Sequence, residues 1–464
     1  MTVSCLQCVF GSYVLKQRYV LCFMAFLGMV NDFCLRNCLN IAITEMVKPQ
    51  LSVDGTVTEC PSKSETVYIQ VTIFFRLDWT SQEVAWVLAS FFPGYVATHI
   101  PGGFLADAYG GKHVLGLGVL TSAIISLVTP IAIDIGGVGL LCALRFLIGV
   151  VQGPLFPSVT TLLARWVPKK ERSRLGSLVL TGAQIGSILC NTISGFLIFS
   201  TGNWKIVFYF WAILAFVWFI FYMVLCYSEP AQHPHITPEE KEELLRELGT
   251  AVRNKIPWFN LLCYKPTYAL LAGQGSHDIV FFFVVVSLPK YFKDVLKFNI
   301  KENGILSSIP YASLWISSTV TACLADWLIN AELLRVVTVR KLYTAIASFF
   351  PSIFLVLAGY FGCDRDMATL MFIFATLFMG PFYPGLRVNL LDITKNFAGI
   401  LQAFVNGFGG VVYYPVPYII AWVAKDNLIY QWMYIFWGSF VICSATNIIY
   451  LMWASADRAE WDEV

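Results

Sequence analysis

Long apolar stretches separated by short polar connections run through almost the whole sequence. A helix needs about 20 apolar residues to cross the hydrocarbon core of a bilayer. With 57% hydrophobic and only 13% charged residues, the chain cannot hide these stretches in a soluble core. We therefore predict an all-α membrane protein with twelve transmembrane helices, hereafter spans 1 to 12: 19–47, 82–104, 114–133, 137–164, 175–199, 204–227, 262–287, 303–325, 342–361, 368–392, 397–424 and 431–454.

A polar connection divides the spans into two groups of six. It contains EEKEELLREL (239–248), a pattern that predicts a short amphipathic helix. The predicted domains are an N-terminal bundle (1–227), a cytoplasmic central loop (228–261) and a C-terminal bundle (262–464). Leu-Ala-Asp closes both span 2 and span 8. Such a repeat favours two six-helix bundles that hold a substrate between them near the membrane midplane.

Charge and motif content argue against several other functions. The formal net charge of +2 gives no basis for nucleic-acid binding, and Cys5 and Cys8 lack the second cysteine pair that a structural zinc site needs. No hydrolase or nucleotide-binding motif occurs in the sequence. We expect no enzyme activity, no metal and no cofactor. A sodium or proton gradient would then drive the protein, which we expect to be a monomer in the bilayer.

The distribution of Lys and Arg predicts the orientation. These residues are more frequent in the connections on the side of the N-terminus than on the opposite side. Cytoplasmic connections of membrane proteins carry the excess of Lys and Arg, so both termini are predicted to be cytoplasmic. The sequence leaves open whether the membrane is the plasma membrane or a vesicular or lysosomal one.

The segment after span 2, GGFLADAYGGKH (102–113), resembles the loop motif of the major facilitator superfamily. We expect Gly103 to allow close helix approach and Asp107 to cap a neighbouring helix N-terminus. Lys112 would end the turn, and Asp326 occupies the equivalent place in the second half. Ala108 stands where the motif usually has a basic residue. The resemblance implies that this segment stabilises one state of a transport cycle without touching substrate.

Longer strings extend the resemblance over nearly the whole chain. They are similar to the anion:cation symporter family of that superfamily, which contains phosphate cotransporters, sialin and vesicular glutamate transporters, and most similar to its inorganic phosphate cotransporters. The strings are SFFPGYVATHIPGGFLAD (90–107), WVPKKERSRL (166–175), LPKYFKDVLKFNIKENGILSSIPY (288–311) and NLLDITKNFAGIL (389–401). The resemblance implies the major facilitator fold and cation-coupled symport of inorganic phosphate or an organic anion by alternating access.

Basic residues at the centres of predicted spans are the candidates for anion binding. A charged side chain there costs at least about 2.5–3.5 kcal/mol, so it is rarely present without a use. Arg36, Arg145 and His277 fall at similar predicted depths. The resemblance implies a substrate-binding arginine at Arg36, and the alternative is an internal pair with Asp32 one turn earlier. Both interpretations hold if substrate displaces the Asp32 carboxylate from Arg36.

Arg145 is the strongest single candidate. No acidic residue lies within one turn of it, and a planar guanidinium suits phosphate or carboxylate groups. Seven residues later, several family members carry a glutamate that the resemblance links to proton coupling, but this chain has Gln152. An amide cannot carry a proton, so Gln152 favours the phosphate branch and sodium coupling. Leu88, where glutamate carriers have a histidine, is a second difference from that branch.

Polar residues with roles in coupling, gating or hydrogen bonding complete the candidates. His277 assists anion binding or acts with Asp278 as a pH-sensitive gate, while a histidine satisfied within the core is the alternative. Asp32, Gln152 and Asp278 are the predicted coupling and gating residues. Asn406 is predicted to bind substrate; like Gln184, it could instead form a hydrogen bond between helices.

Two charges near the end of span 10, Arg387 and Asp392, are interpreted as gate or anchoring charges rather than ligands. Three other functions stay open at this point. One is an uncoupled, voltage-driven anion facilitator or channel. Another is a proton-coupled carrier of organic acids such as sialate or glutamate. The last is a receptor or scaffold that has lost transport.

Overall fold

The computed structural model describes residues 16–47, 77–168, 175–176, 178–248, 258–283, 287–394 and 398–462. This part of the chain is helical and contains no β-strand, only a single bridge between Val47 and Leu77. The α-helices are α1 (Gln17–Met46), α2 (Ser81–Ala89), α3 (Phe91–Tyr109), α4 (Gly111–Gln152), α5 (Leu155–Trp166), α6 (Gly182–Thr201), α7 (Lys205–Leu225), α8 (Pro238–Leu248), α9 (Trp258–Cys263), α10 (Lys265–Phe282), α11 (Leu288–Asp294), α12 (Ile300–Leu306), α13 (Ile309–Asn330), α14 (Val336–Tyr360), α15 (Arg365–Met379), α16 (Val388–Ile393), α17 (Ala398–Tyr413), α18 (Val416–Val423) and α19 (Ile429–Trp453).

Eight helical runs in the described residues are long and apolar enough to cross a membrane. One of them, Gly111–Leu163, contains both span 3 and span 4. Spans 2, 7 and 11 are each built from two shorter helices, α2–α3, α10–α11 and α17–α18. The all-α prediction with twelve spans is thereby confirmed, and α8 confirms the amphipathic helix. The domain boundaries stay a prediction.

Glycine and proline explain where the helices break. The chain reverses between spans 3 and 4 at Gly137, whose φ of +54° and ψ of −138° are open to glycine but not to residues with a side chain. The spans predicted from the sequence leave 134–136 as this connection, directly before Gly137. Pro154 separates α4 from α5 and Pro415 precedes α18, since proline cannot donate the hydrogen bond that a helix interior requires.

Apolar side chains cover the outside of the helices as well as the core. One large buried cluster joins spans 1 to 6, and three smaller clusters lie in the second half. On the outer faces, exposed side chains include Ile135, Val224, Trp422 and Tyr434, which are 68% to 81% exposed. Such surfaces are unfavourable in water and suit contact with lipid.

Several contacts between the two halves lie near one end of the molecule. We call the end at which α1 begins the proximal end and the opposite end the distal end. Near the distal end, Lys293 Nζ lies 2.9 Å from Glu45 Oε1, and the hydroxyls of Thr192 and Ser308 are 2.7 Å apart. Packing of α6 against α12 and of α2 against α18 adds to these contacts. This arrangement holds the halves together on the distal side.

The central loop contacts the proximal end of span 1. Glu240 is buried, and its carboxylate accepts hydrogen bonds from the backbone N–H groups of Gln17 and Arg18 at 2.9 and 3.2 Å. A carboxylate at a helix N-terminus satisfies free donors and interacts favourably with the helix dipole. The next turn of α8 places Glu243 beside Lys16 and Arg18, each at 3.2 Å.

Candidate functional site

Asp32 and Arg36 lie one turn apart in the distal half of α1 and face each other. Arg36 Nη2 is 3.4 Å from Asp32 Oδ2. The carboxylate is fully buried and its Oδ1 has no hydrogen-bond partner among the described residues, whereas the Arg36 side chain keeps 16% of its surface exposed. The internal pair considered from the sequence is therefore present, and it leaves part of the guanidinium accessible.

Gln152 ties this pair to span 4. Its Oε1 accepts a hydrogen bond from Arg36 Nε at 3.1 Å, and its Nε2 donates to the backbone oxygen of Asp32 at 3.4 Å. Gln152 is the last residue of α4, directly before the break at Gly153 and Pro154. The amide thus takes a fixed place in the arginine's hydrogen-bond shell.

Arg145 brings a second guanidinium to the same region. Its side chain is buried, and Nη1 donates to the backbone oxygen of Arg36 at 3.1 Å. Its Nε is buried without a hydrogen-bond partner in the described part of the chain, and no carboxylate there pairs with it. The guanidiniums of Arg145 and Arg36 both lie over the ring of Phe91, at 5.4 and 4.8 Å from its centroid. Two positive groups therefore share one aromatic wall.

The second half contributes His277 and Asp278 from α10. The His277 ring stacks on Phe382 of span 10 with centroids 3.6 Å apart, and its Nδ1 has no partner among the described residues. Asp278 accepts a hydrogen bond from Gln274 at 2.7 Å. Stacking on Phe382 supports the alternative that His277 is a core histidine. Its Nδ1, without a partner among the described residues, could still bind a ligand. Its predicted role in binding stays a prediction.

Asn406 and Gln184 both have partners in span 10. Asn406 Oδ1 accepts a hydrogen bond from Arg387 Nη1 at 2.6 Å, and Gln184 Nε2 donates to the Tyr383 hydroxyl at 3.0 Å. Only the second of these bonds joins the two halves. Arg387 does not pair with Asp392, although the sequence analysis grouped them as gate charges. Asp392 instead accepts from Arg340 Nε at 2.7 Å.

His99 is a polar residue that the sequence analysis did not single out. It lies in α3, is 1% exposed, and its Nδ1 lacks a partner in the described residues. Its ring is 5.0 Å from that of Tyr95, which in turn lies 5.0 Å from the Arg36 guanidinium. The sequence offered a signal for His99, since it is a histidine inside a predicted span. The same signal identified His277 as a candidate.

The residues of the loop motif lie apart from this cluster. A side chain on Gly103 would have room, with its nearest neighbour 4.0 Å away, whereas one on Gly102 would come within 2.5 Å of Pro154. The expected close approach therefore occurs at Gly102, and the prediction for Gly103 was wrong. Lys112 is buried with Nζ 4.3 Å from the Tyr227 ring, and Asp326 is exposed.

Two further predictions concern residues that cannot be compared with the structure in full. Asp107 falls within α3, but its side chain is not among those described. Cys5 and Cys8 lie outside the described residues. Within the described part, no group of three or more His, Cys, Asp or Glu side chains could hold a metal ion.

Comparison with known proteins gives a consistent result. The family model described as Major Facilitator Superfamily matches residues 21–413. The chain is 33% identical over 455 residues to a Drosophila melanogaster protein named "Putative inorganic phosphate cotransporter", covering 96% of this chain and 86% of that protein. It is 33% identical over 449 residues to human Sialin, covering 96% and 90%. Human Vesicular glutamate transporter 2 is 29% identical over 455 residues, covering 96% and 75%.

A solved structure supports the fold. The crystal structure of a D-xylose-proton symporter superimposes with a TM-score of 0.66 at 13% sequence identity, covering 95% of this chain and 98% of that one. At this identity the likeness concerns the fold alone. The resemblance stated from sequence motifs and the fold class are both confirmed.

Proposed function

Because this chain belongs to the Major Facilitator Superfamily, we propose that it is a secondary active transporter of small anions, inorganic phosphate or an organic anion. It works by cation-coupled symport with alternating access. Relatives named as phosphate cotransporter, sialin and vesicular glutamate transporter support an anionic substrate. The chain is a transporter of this superfamily and not an enzyme.

One observation carries the anion assignment: two guanidiniums share a buried site that holds a single carboxylate. Arg36 is partly neutralised by Asp32, and Arg145 has no acidic partner in the described residues. An unpaired buried charge is unfavourable, so an arriving anion would be stabilised there. Guanidinium groups bind phosphate and carboxylate through paired hydrogen bonds.

The coupling cation has two candidate positions. Asp32 has one oxygen free of hydrogen bonds from the described residues, and Asp278 is held only by Gln274 among them. Gln152 fills the place of a protonatable glutamate with an amide that is already hydrogen-bonded. The lack of a titratable carboxylate at Gln152 supports sodium rather than a proton as the coupling cation. An uncoupled facilitator is the alternative.

The contacts between the halves support a state closed on the distal side, so that substrate would exchange on the proximal side. Cys363, in the distal connection between α14 and α15, is disulfide-bonded, while Cys226 and Cys263 near the proximal end are free. Disulfides persist in oxidising compartments. This supports the predicted orientation with both termini cytoplasmic, in the plasma membrane or in a vesicular or lysosomal membrane.

Reconstitution in liposomes tests the proposal. Phosphate, glutamate, sialate and urate are offered separately under an imposed sodium gradient, proton gradient or membrane potential. Accumulation of one anion above its equilibrium level under a sodium gradient, and its loss when sodium is equal on both sides, is expected. Flux that only follows the potential would favour the facilitator, and accumulation under the proton gradient alone would favour the organic-acid carrier. No flux of any anion would overturn the proposal.

A further inference from the structure

Span 10 contains an irregular turn that ends at Arg387. Residues Tyr383–Arg387 form a π-helical turn between α15 and α16. Such turns are rare and are found frequently at functional sites. Pro384 within the turn cannot donate a backbone hydrogen bond, which explains why the regular pattern is interrupted.

Arg340 of span 9 fixes this turn from one side. Its Nη1 donates to the backbone oxygen of Pro384 at 2.7 Å, and its Nε donates to Asp392 at 2.7 Å. The pairing also removes Asp392 as a partner for Arg387. The contacts of Arg340 therefore fix the turn that carries Arg387. Asp392, the nearest carboxylate in sequence, does not neutralise the charge of Arg387.

Among the described residues, Arg387 makes one hydrogen bond, to Asn406 Oδ1 at 2.6 Å. Its guanidinium lies 5.5 Å from the centroid of Phe382 and forms no salt bridge with a described carboxylate. A guanidinium carries five N–H donors, so most of its donors are not used by the protein. The residue is partly buried.

Arg387 and Arg36 flank a common region from opposite halves. The Arg36 guanidinium lies 5.0 Å from the ring centroid of Tyr95, and Arg387 is hydrogen-bonded to Asn406 in α17, the helix that ends at Tyr413. The ring of Tyr413 is 4.5 Å from that of Phe92, so a residue of span 11 reaches span 2 at this level. The Phe382 ring that lies 5.5 Å from the Arg387 guanidinium stacks on His277 of α10. Both halves therefore contribute charge to one site.

The two arginines lie at different depths. Counted along α1 from Gln17, Arg36 is about 28 Å from the proximal end, at 1.5 Å per residue. Counted along α16 to Ile393, Arg387 is about 9 Å from that end. His99 and Tyr95 lie between these levels in α3. Arg387 therefore lies nearer the proximal end than Arg36 does.

We propose that Arg387 is a further anion-binding residue, on the proximal side of the site, that takes the carboxylate or phosphate group of the transported anion from Arg36 and Arg145 before release. Asn406 is the positioning residue that holds the guanidinium. This inference rests on the proposed function. Binding at Arg387 would be an additional step, with an affinity for the anion that is specific to the proximal side.

Transport measured from each side of the membrane tests the proposal. R387Q and R387K are reconstituted in liposomes with known orientation, with R335Q as a control, since Arg335 is an exposed arginine outside the site at the start of α14. Inorganic phosphate and glutamate are the probes. For the anion that the wild type carries, R387Q should raise the half-saturating concentration about tenfold on the proximal side, as expected for loss of a hydrogen bond to a charged group. The half-saturating concentration on the distal side should change less than that on the proximal side.

R387K should recover part of the proximal affinity because it keeps the charge, and R335Q should match the wild type. If R387Q leaves both half-saturating concentrations unchanged, or if R387K is as impaired as R387Q on both sides alike, Arg387 only joins spans 10 and 11 and the inference fails. If the wild type itself moves neither probe, protection of the detergent-solubilised protein against thermal unfolding by phosphate decides. Equal protection of wild type and R387Q would overturn the inference, and weaker protection of R387Q would support it.

Discussion

Gln152 Oε1 accepts a hydrogen bond from Nε of Arg36 at 3.1 Å. The same side chain reaches the backbone of Asp32 through its other end. A neutral amide therefore orients the arginine without competing for its positive charge. A glutamate would occupy a similar volume and would compete, because an ionised carboxylate forms a stronger, charge-assisted hydrogen bond with a guanidinium.

The substitution Gln152→Glu should make transport depend on pH. With the carboxylate ionised, Arg36 would be neutralised and anion uptake should fall by about tenfold at neutral pH, equivalent to about 1.4 kcal/mol. Uptake should recover as the pH is lowered and the carboxylate takes up a proton. Initial rates between pH 5 and 8, compared with Gln152→Met, check this. The prediction fails if Gln152→Glu and Gln152→Met share one pH profile.

The ion pair between Arg340 and Asp392 should stabilise the second half. Arg340→Gln leaves Asp392 without its cation and Pro384 without a donor. We expect a loss of about 2–3 kcal/mol, below the 3–5 kcal/mol of a fully buried pair, because Asp392 is partly exposed. Thermal unfolding in detergent measures the loss. Arg335→Gln is the control, and equal stability of the two variants would contradict the assignment.

Close approach of spans 2 and 4 depends on Gly149. A side chain there would collide with the backbone oxygen of Phe91, so Gly149→Ala should destabilise the protein by about 1–3 kcal/mol through overpacking. It should also move Arg145, one turn away on the same helix, and reduce transport. Gly438→Ala is the matched control, since nothing lies within 4 Å of its added carbon. Similar unfolding temperatures for both variants would refute this packing argument.

The contact between the central loop and span 1 should weaken in acid. Burial alone would raise the pKa of Glu243, but hydrogen bonds from Lys16 and Arg18 outweigh it and hold the pKa below its usual range. The contribution of the ionised Glu243 carboxylate to stability is therefore complete above the ordinary pKa of a glutamate. It is lost as the pH falls through the lowered pKa. The unfolding temperatures of wild type and Glu243→Gln should differ slightly at neutral pH and converge in acid. Glu239→Gln, an exposed control on the same helix, should differ at neither pH.

The hydropathy of the sequence predicted the spans because each crossing must be apolar and must satisfy its own backbone hydrogen bonds. Sequence spacing identified the Asp32–Arg36 pair within one helix, but it could not predict which charges meet elsewhere. Arg387 and Asp392 are close in the chain, yet the π turn sends one to Asn406 and the other to Arg340. The error at Gly103 has a similar cause, since only the packing of α3 against Pro154 distinguishes it from Gly102. His99 was missed although a histidine inside a predicted span was a signal, and its contact with Tyr95 beside Arg36 is visible only in the folded chain.

The most direct measurement of the central claim compares anion uptake by Arg145→Ala with that of the wild type at equal amounts of protein in the membrane. Arg145 is buried and has no acidic partner in the described residues, so a transported anion is its expected counter-charge. The account predicts that Arg145→Ala reaches the membrane normally and takes up no anion above background, while Arg145→Lys retains part of the rate. Uptake by Arg145→Ala at the wild-type rate would contradict it.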